Sequence, residues 1–409
     1  MDILEIIDKK RNKKVLSKEE YEYAFMGYLN GLIKDYQMSS LLMAITINGM
    51  NFNETLDLTD IMLHSGKVIE KKDIEGIRVD KHSTGGVGDK TSMIIGPILA
   101  SLGLKMGKLS GRGLGYTGGT IDKLESIPGF KVNLSTEEFI ENTNQVGFAE
   151  CAQTDEFTPL DKVIYSLRSV TGTVESIPLI ASSIMSKKLA IGAKYILIDL
   201  KIGKGALIKN REDAKKLSTT MRRIGRAYKK EVITIYSDMN TPLGNNVGNA
   251  LEVKEAMDVL NGEKGPLYDL CLKLSSTLYS RATCTSKKEA EKLVKEVLDN
   301  KKAYNKFLEF VEAQGGNIDK LKISNNIKLV ESNKSGIIKS ISAYKIGMLG
   351  LHLGGGRETK EEEIDPSVGV VIKKHVGERV KKGDILLELY QRDQKDYKKE
   401  ALDAFKITN

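Results

Sequence analysis

Apolar positions in the first 65 residues recur at helical spacing. Tyr21, Phe25, Tyr28 and Leu29 share one face, and Met38, Leu41, Leu42 and Ile45 repeat the pattern. Ser17-Lys-Glu-Glu20 has the spacing of a capping box, in which hydroxyl and carboxylate satisfy each other's backbone N–H groups, and Gly31 closes that segment. These signals predict a small helical bundle. The period changes near residue 78. Arg78–Lys81 reads as a short strand, His82–Asp89 as a Gly-rich loop, and Met93–Leu102 as an apolar helix. Met106–Leu109 reads as a second short strand, with a second Gly-rich loop at Ser110–Thr120. Tyr195–Leu200 and Val232–Tyr236 are unbroken runs rich in β-branched residues, as in strands buried on both faces.

A helical stretch over Asp161–Ala193 interrupts this alternation and is assigned in space to the N-terminal bundle. From Gly369 to Leu389 short alternating strands are separated by Gly turns, which predicts a small β-rich module. The expected fold class is α/β. A small all-helical domain (residues 1–65 with 161–193) accompanies a large α/β domain with a mainly parallel sheet (78–155 and 194–330). A C-terminal α+β module, rich in strands, completes the chain (331–409).

The length of 409 residues suits two or three such domains. The excess of 63 Lys+Arg over 55 Asp+Glu is spread along the chain and mixed with Glu, and there is no Trp and no cluster of Arg with aromatics. That distribution is a solvated surface and predicts no nucleic-acid partner. Three cysteines without CxxC spacing suit a reducing compartment and argue against a zinc site. No apolar run reaches the roughly 18 residues of a membrane span, and the N-terminus lacks a signal-peptide pattern. A cytoplasmic protein with no membrane partner is expected.

Chemistry-bearing residues concentrate in the two Gly-rich loops. In Lys81-His-Ser-Thr-Gly-Gly-Val-Gly-Asp89 the glycines let several N–H groups converge, the following helix adds its positive end, and Lys81, His82 and Ser83 add side-chain donors. Phosphate is the expected ligand. The loop is not a P-loop, because Asp89 rather than Gly precedes Lys90. Gly113, Gly115 and Gly118 match the dinucleotide pattern only within a longer Gly-rich run, where a match carries little weight. Two such loops suggest one anion held from two sides, with Ser110 and Thr120 adding hydroxyls. Asp122, Lys123 and Glu125 read as a helix start that braces the second loop, with a direct catalytic role as the alternative. The helical interlude supplies a different surface. Tyr165 and Arg168 share a helix face, and Ile180, Ser183, Ile184 and Lys187 form a stripe at i, i+3, i+4 and i+7. An apolar slot with a few fixed polar groups suits a heterocyclic base.

Lys81–Asp89, Ser110–Gly129 and Tyr165–Lys188, in that order, resemble the pyrimidine nucleoside phosphorylases, relatives of thymidine phosphorylase. The likeness covers nearly the whole chain, including Asp35–Ser39 and Gly248–Glu255. It implies reversible phosphorolysis of uridine, thymidine and deoxyuridine to free base and pentose 1-phosphate. By position it implies phosphate contacts from Lys81, His82, Ser83, Ser92, Lys108, Leu109, Ser110 and Thr120. It implies base contacts from Tyr165, Arg168, Ile180, Ser183 and Lys187, with Arg168, Lys187 and His82 as catalytic residues. Inorganic phosphate and a pyrimidine nucleoside are the implied partners, and a homodimer through the helical domain is the implied assembly.

The chemistry agrees with this resemblance. Cleavage of the N-glycosidic bond places negative charge on the departing pyrimidine, where Arg168 and Lys187 would stabilise it. Phosphate itself attacks the anomeric carbon, so no protein nucleophile or cofactor is required. Lys108 stands where the broad-specificity branch has Lys and the thymidine-restricted branch has Met, which implies activity on uridine as well as thymidine. Tyr116 replaces the family's usual His. One branch holds a potassium ion with Gly88, Leu243, Asn246 and Glu255, but Lys90 here occupies the place of a Thr, so an ammonium can replace the ion. Two other readings fit the residues. One is an anthranilate phosphoribosyltransferase-like enzyme with the same bundle-plus-α/β plan; the other is a binding protein that has lost catalysis.

Overall fold

The computed structural model describes residues 1–113, 115–116, 118–357 and 362–408. The chain opens with four helices, α1 (Ile3–Arg11), α2 (Lys18–Leu29), α3 (Asp35–Asn48) and α4 (Phe52–His64). The expected capping box starts α2: Ser17 Oγ accepts from the Glu20 N–H at 3.3 Å, and the Glu20 carboxylate accepts from the Ser17 N–H at 2.9 Å. The bundle is tied from inside by Glu54, which takes the Lys10 ammonium at 2.7 Å and the Tyr21 hydroxyl at 3.2 Å.

The α/β region contains β1 (Val79–Ser83), α5 (Thr91–Ser101), β2 (Met106–Ser110), α6 (Thr120–Glu125), α7 (Thr136–Val146) and β3 (Phe148–Ala152). Two helices follow, α8 (Pro159–Arg168) and α9 (Ile177–Ala190), then β4 (Tyr195–Ile202), α10 (Arg211–Ala227) and β5 (Glu231–Asp238). Leu160, Ile164, Leu167 and Leu179 are buried with Tyr21, Phe25, Leu41 and Met62, so α8 and the start of α9 pack with the N-terminal helices although they lie far away in sequence. Toward its end α9 turns its apolar residues, including Ile184, Met185 and Leu189, to the sheet.

All pairings among β1–β5 are parallel: β1 with β4, β4 with β5, and β2 with β3. The sequence pattern does not reveal β3, whose Phe-Ala-Glu-Cys-Ala lacks the unbroken β-branched character of β4. Between β1 and β2 the only ladder contact among the described residues is the bridge of Arg78 to Lys105, where the Val79 N–H donates to the Lys105 carbonyl at 2.9 Å. The sheet is joined there at its N-terminal end and parted at its C-terminal end, where both Gly-rich loops emerge. A crevice outside the C-terminal ends of parallel strands is the usual ligand position in open α/β sheets.

Behind the sheet pack α11 (Asn249–Leu260), α12 (Pro266–Thr283), α13 (Lys287–Asp299) and α14 (Lys302–Ala313). The C-terminal module pairs β6 (Asn246–Val247), β7 (Ile327–Glu331), β9 (Gly369–Ile372) and β11 (Ile385–Tyr390) in one sheet. A second sheet joins β8 (Gly336–Ile341), β10 (Arg379–Val380) and β12 (Phe405–Thr408), with α15 (Ala343–Gly350) beside it. The bundle, the parallel sheet and the strand-rich module are those expected from the sequence.

Candidate active site

The parted end of the sheet opens into a cavity of about 340 Å³ between the loops and the face of α8 and α9. From the sheet side it is lined by His82, Ser83, Ser92, Lys108, Ser110 and Thr120; from the helical side by Tyr165, Arg168, Ile180, Ser183 and Lys187. The two groups singled out separately in the sequence therefore share one space. Lys81 and Leu109 do not line it. Lys81 is fully buried and its ammonium donates to Thr91 Oγ1 while standing 4.0 Å from the Asp89 carboxylate. Leu109 puts its side chain into the core, and its carbonyl accepts from the Lys188 ammonium at 3.3 Å.

The first loop is held by charge. Burial pushes Asp89 up, but the ammoniums of Lys201, Lys81 and Lys123 prevail and hold it well below the usual carboxylate range. Lys123 also donates to the Asp89 carbonyl at 2.7 Å and lies 2.8 Å from Glu252. In the second loop Asp122 accepts from the Gly113 N–H at 2.5 Å, and Glu125 grips Arg112. Asp122, Lys123 and Glu125 thus brace the loops. Gly119 has to be glycine, since a Cβ there would meet the Gly113 nitrogen at 2.1 Å. Leu114 and Thr117 of this loop lie outside the described residues. The C-terminal module bears on the same loop: Arg357 pairs with Asp122 at 2.9 Å, and the Tyr344 ring meets Tyr116 edge-on at 4.9 Å.

Lys108 is buried, yet its ammonium makes no hydrogen bond or ion pair among the described residues. Burial, then the Lys188 charge, push its pKa down. A partly desolvated cation without a counter-ion is an anion-binding element. His82 is held neutral: burial and the surrounding Lys188, Lys108, Lys187 and Lys81 ammoniums push its pKa well below the ordinary imidazole value. Its Nδ1 is buried with no partner among the described residues.

On the other wall Arg168 is buried and its pKa is pushed down to about 10 by burial, which leaves it cationic near neutrality. Its guanidinium donates to the carbonyls of Thr173, Val174 and Leu179, at 2.9–3.2 Å. Four of its five N–H groups are used there, leaving one on Nη1. Lys187 donates to Ser183 Oγ at 2.9 Å and to the Asp161 carboxylate, which also accepts from Gln153. Asp161 was not singled out in the sequence, although it falls at i−4 from Tyr165 and i−7 from Arg168 on the same face of α8. Its other oxygen, Oδ1, is buried and unpartnered among the described residues. Glu150 on β3 and the fully buried pair of Lys188 with Asp80, 2.8 Å apart, were also missed.

The implied potassium set fits poorly. The Lys90 ammonium lies where a cation would lie, donating to the carbonyls of Leu243 at 3.1 Å and Asn246 at 2.7 Å and to the Glu255 carboxylate. Gly88 has φ +77° there, and a Cβ on it would meet the Leu243 oxygen at 2.5 Å. An added cation would compete for the same oxygens beside a fixed positive charge.

The helical-bundle domain of a glycosyl transferase family matches residues 4–66, and the a/b domain of that family matches 75–304. The C-terminal domain of pyrimidine nucleoside phosphorylases matches residues 337–408. The pyrimidine-nucleoside phosphorylase of Geobacillus stearothermophilus is 47% identical over 98% of this chain and 95% of its own. That of Staphylococcus haemolyticus is 48% identical over 95% and 92%. The chain belongs to the pyrimidine-nucleoside phosphorylase family, and is by that membership an enzyme of the pentosyltransferase class. A crystal structure of anthranilate phosphoribosyltransferase from Thermus thermophilus superposes with TM-score 0.60 at 19% identity, covering 76% of this chain and 99% of that one. That likeness is one of fold alone.

Proposed function

We propose that this chain catalyses the reversible phosphorolysis of pyrimidine nucleosides, releasing the free base and (deoxy)ribose 1-phosphate. The observation that carries the reading is the single cavity with hydroxyls and an unpaired ammonium on one wall and Arg168 with Lys187 on the other. Phosphate takes the first wall, held by Ser83, Ser92, Lys108, Ser110 and Thr120. Lys81 acts from behind the loop as a buried charge, and Leu109 contributes only its backbone. The pyrimidine takes the second wall, over Tyr165 and Ile180 with Ser183 beside it.

A phosphate oxygen attacks the anomeric carbon while the bond to the base nitrogen breaks and its electron pair passes to the pyrimidine. Arg168 and Lys187 stabilise that charge at the base oxygens. Asp161 orients Lys187, and neutral His82 offers a hydrogen bond without adding charge. Closing the two walls aligns the reactants; the hinges lie at residues 65–76, 153–159 and 192–194. Lys108 accommodates a ribose as well as a deoxyribose. Because Lys90 already fills the cation cradle, activity requires no potassium. The assembly is a homodimer through the exposed Leu32, Tyr36, Met43 and Ile47 of the bundle, in the cytoplasm. No helix among the described residues is long and apolar enough to cross a membrane.

The test is release of uracil from uridine and of thymine from thymidine by purified protein, with and without inorganic phosphate. Release that requires phosphate supports the reading, and phosphate-independent release or none sinks it.

A further inference from the structure

Glu150 is fully buried behind Ser110 of the cavity wall, on the strand that the sequence pattern concealed. Its Cα pairs with Lys108 in the β2–β3 ladder, and its backbone is fixed from the opposite edge by Gln314. Gln314 Oε1 accepts from the Glu150 N–H at 3.0 Å, and Gln314 Nε2 donates to the Glu150 carbonyl at 2.9 Å. One side-chain amide thus does the work of a neighbouring strand, and Glu150 has little freedom to move. Its Oε1 lies 2.5 Å from Ser110 Oγ. Its Oε2 is buried and has no hydrogen-bond partner among the described residues.

Ser110 has a single hydroxyl proton, and the direction of this 2.5 Å contact decides where that proton goes. If Glu150 were ionised, Ser110 would have to donate to it and would turn only lone pairs toward an arriving anion. If Glu150 is a neutral acid, its own O–H spans the contact and the Ser110 proton is free to face the cavity. The lone Oε2 favours the neutral acid, since an unpaired buried oxygen is more tolerable in a carbonyl than in a carboxylate. The charged groups that face Glu150 are Lys108 on β2, Lys188 on α9 and Asp80 on β1. Lys108 lies beyond ion-pair distance, and Lys188 already pairs with Asp80. Burial outweighs the two ammoniums and pushes the Glu150 pKa up.

We propose that Glu150 acts as a positioning residue in its neutral form, donating to Ser110 Oγ so that the Ser110 hydroxyl donates in turn to bound phosphate. The inference rests on the phosphate subsite proposed above. Deprotonation of Glu150 reverses the contact and weakens phosphate binding; by linkage, bound phosphate keeps Glu150 protonated.

The test compares wild type with Glu150→Gln, whose amide donates to Ser110 at every pH. The KM for phosphate is measured with saturating uridine from about pH 6 to about pH 9, and the ratio of wild-type to variant KM is plotted. Phosphate's own ionisation is common to both proteins and cancels. The ratio is expected to rise at least about fivefold with pH while the ratio of kcat values stays within about twofold. In a Ser110→Ala background, Glu150→Gln should have no further effect. A ratio independent of pH, or a Glu150→Gln effect that persists without Ser110, would overturn the role of Glu150. Should Glu150→Gln fail to accumulate, Ser110→Ala against wild type carries the comparison: the expected result is a Ser110→Ala KM penalty that shrinks as pH rises, and a constant penalty refutes the role. An active wild type with either negative result refutes only this inference, whereas a wild type that needs no phosphate removes the subsite with it.

Discussion

Replacing Lys90 by Thr removes an ammonium that has no solvent contact. The carbonyls of Leu243 and Asn246 lose that donor, and Glu255 loses its counter-ion. Breaking a buried ion pair by deleting one partner costs about 3–5 kcal/mol. Glu255 keeps two backbone donors, the N–H groups of Asn245 at 2.6 Å and Asn246 at 2.9 Å, which places the loss near the lower end. At about 2–4 °C per kcal/mol for a large domain, Tm should fall by roughly 6–12 °C in potassium-free buffer. The emptied cradle then presents two carbonyls and a carboxylate, oxygen ligands suited to a hard cation. At a potassium concentration about 100 times Kd, binding restores about 2.7 kcal/mol, close to the whole deficit. The assay is thermal unfolding and uridine phosphorolysis of both proteins in potassium chloride and in choline chloride at matched ionic strength. Wild type should not distinguish the two salts, and Lys90→Thr should recover stability and turnover only in potassium. A wild type that loses activity in choline, or a Lys90→Thr protein as stable as wild type in choline, would refute the assignment of Lys90 as the built-in cation.

Other substitutions probe the site itself. Lys187→Ala should lower kcat for uridine phosphorolysis by about 10²–10³-fold, with a smaller change in KM, in steady-state assays. Lys188→Ala is expected to be unfolding-prone rather than silent, losing about 3–5 kcal/mol in denaturant titration because Asp80 is left charged and buried; Lys188→Met with Asp80→Asn should recover much of this. His82 is neutral in the folded protein but protonates near pH 6.5 when unfolded, so the unfolded state binds more protons below that pH. Stability should therefore fall with decreasing pH below about 6.5, by up to about 1.4 kcal/mol per unit from this group, and His82→Asn should flatten that limb of the Tm–pH curve. Lys108→Met should lower the uridine-to-thymidine ratio of kcat/KM by about tenfold or more; an unchanged ratio would exclude Lys108 from sugar discrimination.

Much of this architecture is written in local patterns. Ser17 and Glu20 announce a helix start, and the β-branched runs at Tyr195 and Val232 announce buried strands, because caps and two-sided burial impose rules on neighbouring residues. The loops at His82 and Ser110 stand out because glycine concentrates where backbone N–H groups must converge. The wall of Tyr165, Arg168, Ser183 and Lys187 shows as polar groups at helical spacing. What stayed hidden depends on partners distant in the chain. Glu150 sits between the small residues Ala149 and Cys151 in a strand whose edge is completed by Gln314, 164 positions later. Asp161 acquires meaning only when α9 brings Lys187 to it. Lys188 is adjacent to Lys187, but it points to Asp80 in the core, and nothing in the local pattern separates the two. Lys90 became legible through its resemblance to a cation site, and its partners came from a segment more than 150 residues away.

The grip of Arg357 and Tyr344 on the second glycine loop has a consequence for biosynthesis. Arg357 follows Asp122 by 235 residues in the chain, so the bundle and the first strands are synthesised well before this anchor and can fold as they appear. A nascent chain therefore carries the second glycine loop with one rim unsupported until Tyr344 and Arg357 have been made, so that loop is completed after the sheet that bears it.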